Sequence, residues 1–235
     1  MNIMITGATS GIGKELALTY LNKGDTVLAC GRNRERLDEL ATENGQLVPL
    51  QFDLTDYTSY PDIEQEIDVL ILNAGDCYYI DDPLEFDAET FENIIKVNVI
   101  SIGYCLQKWL KNIRRGGRLV LVSSSAAILP LPRAEAYGAS KAALTYLAKT
   151  LSVTLSRHEV SVSVVQPGFV DTPLTERNTF PMPMLISSTE AASKIVEGIE
   201  RGKPEINVPF RFVFIMKFLR MLPDFVWQRL ALRML

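Results

Sequence analysis

Short apolar runs alternate with longer stretches of helical periodicity along most of the chain. Residues 2–6, 26–30, 47–52, 69–72, 118–123 and 161–166 are brief, β-branched-rich runs bounded by turn residues, the pattern of strands buried on both faces. Residues 11–23, 33–43, 135–156 and 188–201 carry apolar positions three and four apart, which places those positions on one helix face. In the second of these, the face holds Leu37, Leu40 and Ala41. Residues 91–113 read as one long helix with Phe91 and Trp109 at core positions and Gly116–Gly117 as its stop. Residues 207–208 form a candidate last strand.

Alternation of this kind builds right-handed βαβ units. It predicts an α/β fold, a doubly wound parallel sheet covered on both faces (three layers, α/β/α). Only about fifteen residues separate Asp53 from Asp68, so one crossover helix is expected to be cut short. With no internal repeat and no linker, residues 1–208 read as a single domain and residues 209–235 as a helical C-terminal appendage.

Composition narrows the function classes. Hydrophobic residues at 47% and charged residues at 22% exclude a disordered chain. Cys30, Cys77 and Cys105 contain no Cys-x-x-Cys pair, and His158 is the one histidine. A disulfide scaffold and a metal site are therefore not expected. Cys77 falls near the predicted crevice and is a candidate for alkylation. A net charge of −4 gives no footprint for nucleic acid. No signal peptide and no spanning apolar stretch are recognisable, and the chain reads as cytoplasmic.

The first strand runs into Thr6-Gly7-Ala8-Thr9-Ser10-Gly11-Ile12-Gly13 at the start of a helix. A glycine-rich strand-to-helix turn lets backbone N–H groups and the positive helix end meet a pyrophosphate. Its spacing is Gly-x-x-x-Gly-x-Gly, and taken alone it is equally a tight turn without a ligand. The second strand ends in Gly31-Arg32, where NAD-binding folds place an acid for the adenine ribose. Arg32 can instead pair with a 2′-phosphate, which favours NADP(H) over NAD. Arg36 is assigned to a solvated helix face.

Two further strands end in small polar turns, Asn73-Ala74-Gly75 and Ser123-Ser124-Ser125, and Tyr137-Gly138-Ala139-Ser140-Lys141 enters a helix thirteen residues beyond Ser124. In open α/β sheets ligands bind beyond the carboxyl strand ends, where these segments converge. Tyr137 and Lys141 share a helix face, and an ammonium beside a phenol lowers its pKa by about 1–3 units. That would make Tyr137 an acid or base for a carbonyl–alcohol pair.

Together these motifs resemble the short-chain dehydrogenase/reductases, a Rossmann-type oxidoreductase family, over roughly residues 2–200. The resemblance implies Asn98, Ser124, Tyr137 and Lys141 as the catalytic set. Ser123 and Ser125 compete for the serine role, and spacing favours Ser124. It further implies that Gly7, Thr9, Ser10, Gly11, Ile12, Gly13, Asn73, Ala74 and Gly75 surround the cofactor. By the same resemblance Asp53 and Leu54 meet the adenine. Lys141 binds the nicotinamide ribose, and Pro167, Gly168, Val170 and Thr172 line the nicotinamide. A homo-oligomer, dimer or tetramer, is also implied. The single asparagine in Leu72-Asn73-Ala74-Gly75 and the short segment after Asp53 depart from the family pattern.

Residues 172–187 would then form a substrate lid, with Leu174, Phe180, Met182, Met184, Leu185 and Ile186 among three prolines. Methionines adapt to irregular apolar shapes, so a small apolar carbonyl substrate, an aldehyde or ketone, is expected. Sugar or steroid-like alcohol oxidation and a non-catalytic NADP(H)-binding role are the rivals. The tail reads as two short basic, aromatic-rich helices divided by Pro223, with Trp227, Leu230 and Met234 on one face of the second. It suits packing on the body, on a subunit or on the lid, and equally peripheral membrane contact.

Overall fold

The computed structural model describes residues 1–43 and 45–234. Its core is a seven-stranded sheet, entirely parallel, formed by β1 (Asn2–Thr6), β2 (Thr26–Gly31), β3 (Leu47–Gln51), β4 (Ile67–Leu72), β5 (Ile113–Val122), β6 (Ser161–Pro167) and a last strand, Glu205–Val208. The strand order is β3-β2-β1-β4-β5-β6 and then the last strand. The order reverses direction between β1 and β4, the place where doubly wound sheets open a crevice.

Alternation along each strand assigns its side chains to two cores. Ile3, Ile5, Val69 and Ile71 meet Leu16 and Ala17 of α1 (Gly11–Leu21) and Leu37 of α2 (Arg34–Glu43) on one face. Ala191 and Ile195 of a later helix, Ser188–Glu200, complete that layer. Met4, Leu28, Leu70 and Leu72 point to the other face, toward Ile102 and Cys105, and Leu144 and Ala148. The three-layer fold follows from this two-sided burial.

The long helix expected over residues 91–113 is divided. α3 (Ala88–Ile95) runs into a single π-helical turn, Lys96–Ile100, and then into α4 (Ser101–Trp109). Ile113 already belongs to β5, so Gly116–Gly117 lie inside a strand and stop nothing. Gly116 has φ +78°, and the β4–β5 register shifts between Ile67 and Val69. The glycines therefore serve a bulge. A Cβ on Gly117 would sit 3.0 Å from the Asp68 carbonyl oxygen. Phe91 is only half-buried, beside Phe86, whereas Trp109 is fully buried.

The β3–β4 crossover contains no helix among the described residues. Aromatic packing covers the sheet instead: Phe52 and Tyr60 lie 5.5 and 5.4 Å from Trp109, whose indole N–H donates to Pro61 O at 2.9 Å. Each ring so buried contributes roughly 2–3 kcal/mol.

α5 (Glu135–Thr154) follows β5. Two two-residue strands, β7 (Val170–Asp171) and β8 (Ile186–Ser187), pair in parallel and close the base of the loop between them. α6 is the Ser188–Glu200 helix, β9 the Glu205–Val208 strand, α7 covers Phe210–Leu219 and α8 Asp224–Ala231. Pro223 precedes α8 as its N-cap. The tail packs on the body: Met216, Trp227 and Ala231 bury against Leu129, and Trp227 Nε1 donates to Pro130 O at 3.1 Å. Of the face expected on α8, Trp227 is buried while Leu230 and Met234 are exposed; Ala231 takes the inner position.

Candidate active site

Beyond the carboxyl strand ends lies a crevice of about 690 Å³, within the size range of small-molecule sites. At its centre Gly7 and Gly11 have φ +69° and +50°, a region open to glycine at little cost. A Cβ on Gly13 would overlap the Gly7 carbonyl oxygen, so α1 begins in direct contact with the loop backbone. Ser10 makes no side-chain cap bond to α1, which leaves first-turn N–H groups available to an anion. Thr9, Ser10 and Ile12 line the same wall. Thr6 Oγ1 accepts from Asn73 N and Ala74 N at 3.0 and 3.1 Å, and Asn73 Nδ2 donates to Thr6 O at 3.0 Å. These bonds fasten the β4 turn beneath the glycine loop.

At one end, β2 stops at Gly31, where a Cβ would lie 2.6 Å from Thr9 Cγ2. Arg32 follows, exposed, with Nη1 3.7 Å from Asp53 Oδ2, while Leu54 forms the adjoining wall. Asn33 Oδ1 accepts from Arg36 N at 2.9 Å. Arg36 is exposed as expected and also lines the crevice, which the sequence reading missed. Arg34 pairs with Asp38 at 2.8 Å and is not among the lining residues. The signal was available: Arg32 and Arg36 are four residues apart across the start of one helix.

At the other end, three serines follow β5. Ser123 Oγ is bound to Lys141 O and Thr145 Oγ1 at 2.8 and 2.7 Å. Ser125 is buried in the following 3-10 turn and does not line the crevice. Ser124 does line it, and its hydroxyl is a hydrogen-bond partner of the Tyr137 phenol. Lys141 lies one turn along α5, buried, with Nζ donating to Val122 O at 3.0 Å and 5.7 Å from the Tyr137 ring centre. A Cβ on Gly75 would come within 3.1 Å of that Nζ and 3.0 Å of Asn98 Oδ1.

Asn98 sits in the π-helical turn, fully buried and outside the crevice wall. Its Nδ2 donates to Asp76 O and Ser140 Oγ at 2.8 and 2.9 Å, and its Oδ1 accepts from Asp76 N at 2.8 Å. It thereby joins the β4 turn to α5. Such a turn rotates one side chain out of helical register, a device frequent at functional sites.

Electrostatics differ from the expected pairing. Burial pushes the Tyr137 phenol well up, and burial lowers Lys141 to about 8. Desolvation outweighs the ammonium's pull on the phenol; Tyr137 is therefore protonated at neutral pH. Burial also raises the Cys77 thiol to about 11. This buried thiol is a poor nucleophile, contrary to the alkylation expectation.

The remaining wall comes from β6 and the lid. Pro167, Gly168, Val170 and Thr172 line the crevice. Gly168 N donates to Val208 O at 2.7 Å, and a Cβ there would lie 2.6 Å from Phe212 Cδ1 of α7. In the lid, Arg177 pairs with Asp76 at 3.2 Å; neither was anticipated. Phe180 packs on Tyr79 and Phe169, at 5.2 and 6.1 Å, and Phe169 on Phe212 at 5.4 Å.

A family model described as short chain dehydrogenase matches residues 1–182. The chain belongs to the short-chain dehydrogenase/reductase family. Among similar proteins is an uncharacterized oxidoreductase of Myxococcus xanthus, 31% identical over 98% of this chain and 96% of its own length. The 3-oxoacyl-(acyl-carrier-protein) reductase FabG of Thermotoga maritima is 33% identical over 86% of this chain and 85% of its own. A solved short chain dehydrogenase from Burkholderia cenocepacia in complex with NADP matches with a TM-score of 0.76. It is 26% identical and covers 88% of this chain and 86% of that one. This dehydrogenase/reductase is thus an oxidoreductase with relatives that include a structure holding NADP.

Proposed function

We propose that this dehydrogenase/reductase transfers hydride between NADP(H) and the carbonyl of an apolar aldehyde or ketone, working as a reductase. The observation that carries the reading is the convergence of Ser124, Tyr137 and Lys141 at the lid end of a crevice whose opposite end holds Arg32 and Arg36.

The crevice suits a nicotinamide dinucleotide on its own geometry. The left-handed glycines and the absent Cβ of Gly13 bring the backbone and the open start of α1 to the pyrophosphate position. Arg32 and Arg36 supply guanidinium groups for a 2′-phosphate, Asp53 and Leu54 border the adenine, and Val170 and Thr172 the carboxamide. When bound, the nicotinamide supplies the hydride that adds to the carbonyl carbon.

Tyr137 gives its phenolic proton to the carbonyl oxygen as the new C–H bond forms, so hydride and proton together make the alcohol. Ser124 donates a hydrogen bond to that oxygen and fixes its position. The Lys141 ammonium stabilises the resulting phenolate and holds the nicotinamide ribose. Asn98 is a positioning residue, keeping Gly75 and Asp76 against α5. The apolar rings and methionines of the lid side favour an aliphatic or aromatic body on the substrate, as does the similarity to a 3-oxoacyl reductase.

NADPH oxidation with aldehydes and ketones of increasing chain length, and NADH in parallel, tests the reading. Turnover should rise with chain length and prefer NADPH. Arg32→Ala should weaken NADPH by roughly tenfold to a hundredfold, the value of a charge-assisted pair, and leave NADH within about twofold. Equal weakening of both would remove the basis for the NADP preference. Tight NADPH binding with no carbonyl turnover would overturn the reductase.

The pH profile reads Lys141. Its lowered pKa means the ammonium is present below about 8 and lost above it. The kcat/KM for NADPH should therefore fall about tenfold from pH 7 to pH 9. A profile flat to pH 10 would contradict the assignment.

A further inference from the structure

The C-terminal tail buries one side of each helix on the body and leaves the other side apolar and open. On α7, Phe210, Phe214, Phe218 and Met221 follow one another at helical spacing, and Phe225 and Leu232 do so on α8. Each of the six is 60% exposed or more. Isolated exposed apolar residues are ordinary on a soluble protein, whereas six within 23 residues form a patch. Folding of the chain has already used the inner face, through Val213, Met216, Trp227 and Ala231.

Charge identifies what fits this patch. Residues 209–235 carry five Lys/Arg and one Asp, so the remaining 208 residues sum to −8. Lys217 is held by Glu205 and Arg220 lies 3.7 Å from Asp224. Among the described residues, Arg211, Arg229 and Arg233 enter no ion pair. By helical spacing Arg229 and Arg233 fall beside Phe225 and Leu232 on the outer side of α8. Exposed rings flanked by uncommitted guanidinium groups are the complement of a surface that is anionic at its headgroups and apolar beneath them.

We propose that α7 and α8 form a docking face for an anionic lipid surface, with the Phe214–Phe218 side inserted at the headgroup–acyl boundary. The attachment is interfacial, because no helix among the described residues is long and apolar enough to cross a membrane. A second copy is the disfavoured occupant. A two-fold contact between tails would set each uncommitted arginine near its own counterpart, and like charges brought together in an interface oppose association. The acidic body is repelled by the same lipid that attracts the tail, which orients the molecule. Phe212 touches both Gly168 and Phe169, so the docking face adjoins the lid end of the crevice. The proposal does not depend on the reaction assigned to that crevice.

Sedimentation of the full chain with vesicles of phosphatidylcholine alone, and of phosphatidylcholine mixed with phosphatidylserine, tests it. The chain should pellet with the mixed vesicles and remain in solution with the neutral ones. Arg229→Gln/Arg233→Gln should lower the partition coefficient about thirtyfold, from about 1 kcal/mol per basic residue near the surface. Phe214→Ser/Phe218→Ser should lower it more than tenfold. Both pairs are exposed, so thermal melting should match the parent chain, which separates loss of docking from loss of fold. No pelleting with mixed vesicles, or pelleting unchanged in the phenylalanine variant, would overturn the proposal. So would a dimer in sedimentation velocity that the phenylalanine variant converts to monomer, since the occupant would then be a second copy.

Discussion

Tyr137→Phe should lower kcat by about a thousandfold while leaving the Kd for NADPH within roughly twofold. The substitution removes one oxygen and keeps the ring. The cofactor walls made by Gly7, Gly11, Gly13, Asn73 and Arg32 lie on other elements and should be undisturbed. What disappears is the proton delivered to the carbonyl oxygen and the hydrogen-bond partner of Ser124. Burial holds the phenol protonated at neutral pH, so wild-type Tyr137 enters the reduction already carrying the proton it must give. Stability should change by about 1 kcal/mol or less, the net value of one hydrogen bond. Isothermal calorimetry for NADPH and steady-state turnover separate the two effects. Loss of both together would withdraw the proton-donor role from Tyr137.

Gly13→Ala should both destabilise the fold and empty the cofactor loop. Two effects oppose each other here. Alanine in a helix is favoured over glycine by up to about 1 kcal/mol. Its Cβ, however, overlaps the Gly7 carbonyl oxygen and would stand 2.5 Å from Asn73 Nδ2. Both obstacles belong to the fastened core of the site rather than to a flexible chain end. Relief requires the loop backbone to move, at about 3 kcal/mol. For a domain of this size that is a fall in Tm of roughly 6–12 °C. NADPH binding should weaken more than tenfold, because the displaced loop is the one that approaches the pyrophosphate. Unchanged melting with unchanged NADPH affinity would show that α1 does not depend on this close contact.

How far the sequence revealed the molecule depends on which physical signal each element carries. Strands β1, β2, β4 and β6 are buried on both faces, so their apolar runs stand out whatever surrounds them. The glycine loop and the Asn73, Ser124, Tyr137 and Lys141 positions were legible because strand ends and one helical turn determine where such residues must meet. Residues 91–113 misled for an opposite reason. A π-helical turn adds one residue to a helix, and side-chain periodicity does not record a local change in backbone hydrogen bonding. Gly116 and Gly117 signal a helix end and a strand bulge with the same letters. Long-range packing decides between those, here the pairing of β5 with β4 around Asp68.

Within the site, position was more readable than electrostatics. The i, i+4 spacing of Tyr137 and Lys141 is local, whereas the depth to which the fold buries both groups is not. Desolvation reversed the expected shift of the phenol. Arg36, Asp76 and Arg177 were missed because each reaches the crevice only after separate segments fold together: α2, the β4 turn and the lid. The tail's inner face was similarly hidden. Trp227 announces burial, yet nothing in its neighbours names Pro130 as the acceptor of its N–H.

The most direct test of the account is transfer of the label itself. The chain would be incubated with NADPH carrying deuterium at the transferable nicotinamide C4 position and with a long-chain aliphatic aldehyde, and the product examined by mass spectrometry. Hydride transfer to a carbonyl predicts the corresponding primary alcohol with one deuterium on the carbinol carbon, and unlabelled alcohol when unlabelled NADPH is used. No alcohol under conditions where NADPH is bound, or an alcohol without deuterium at that carbon, would contradict it.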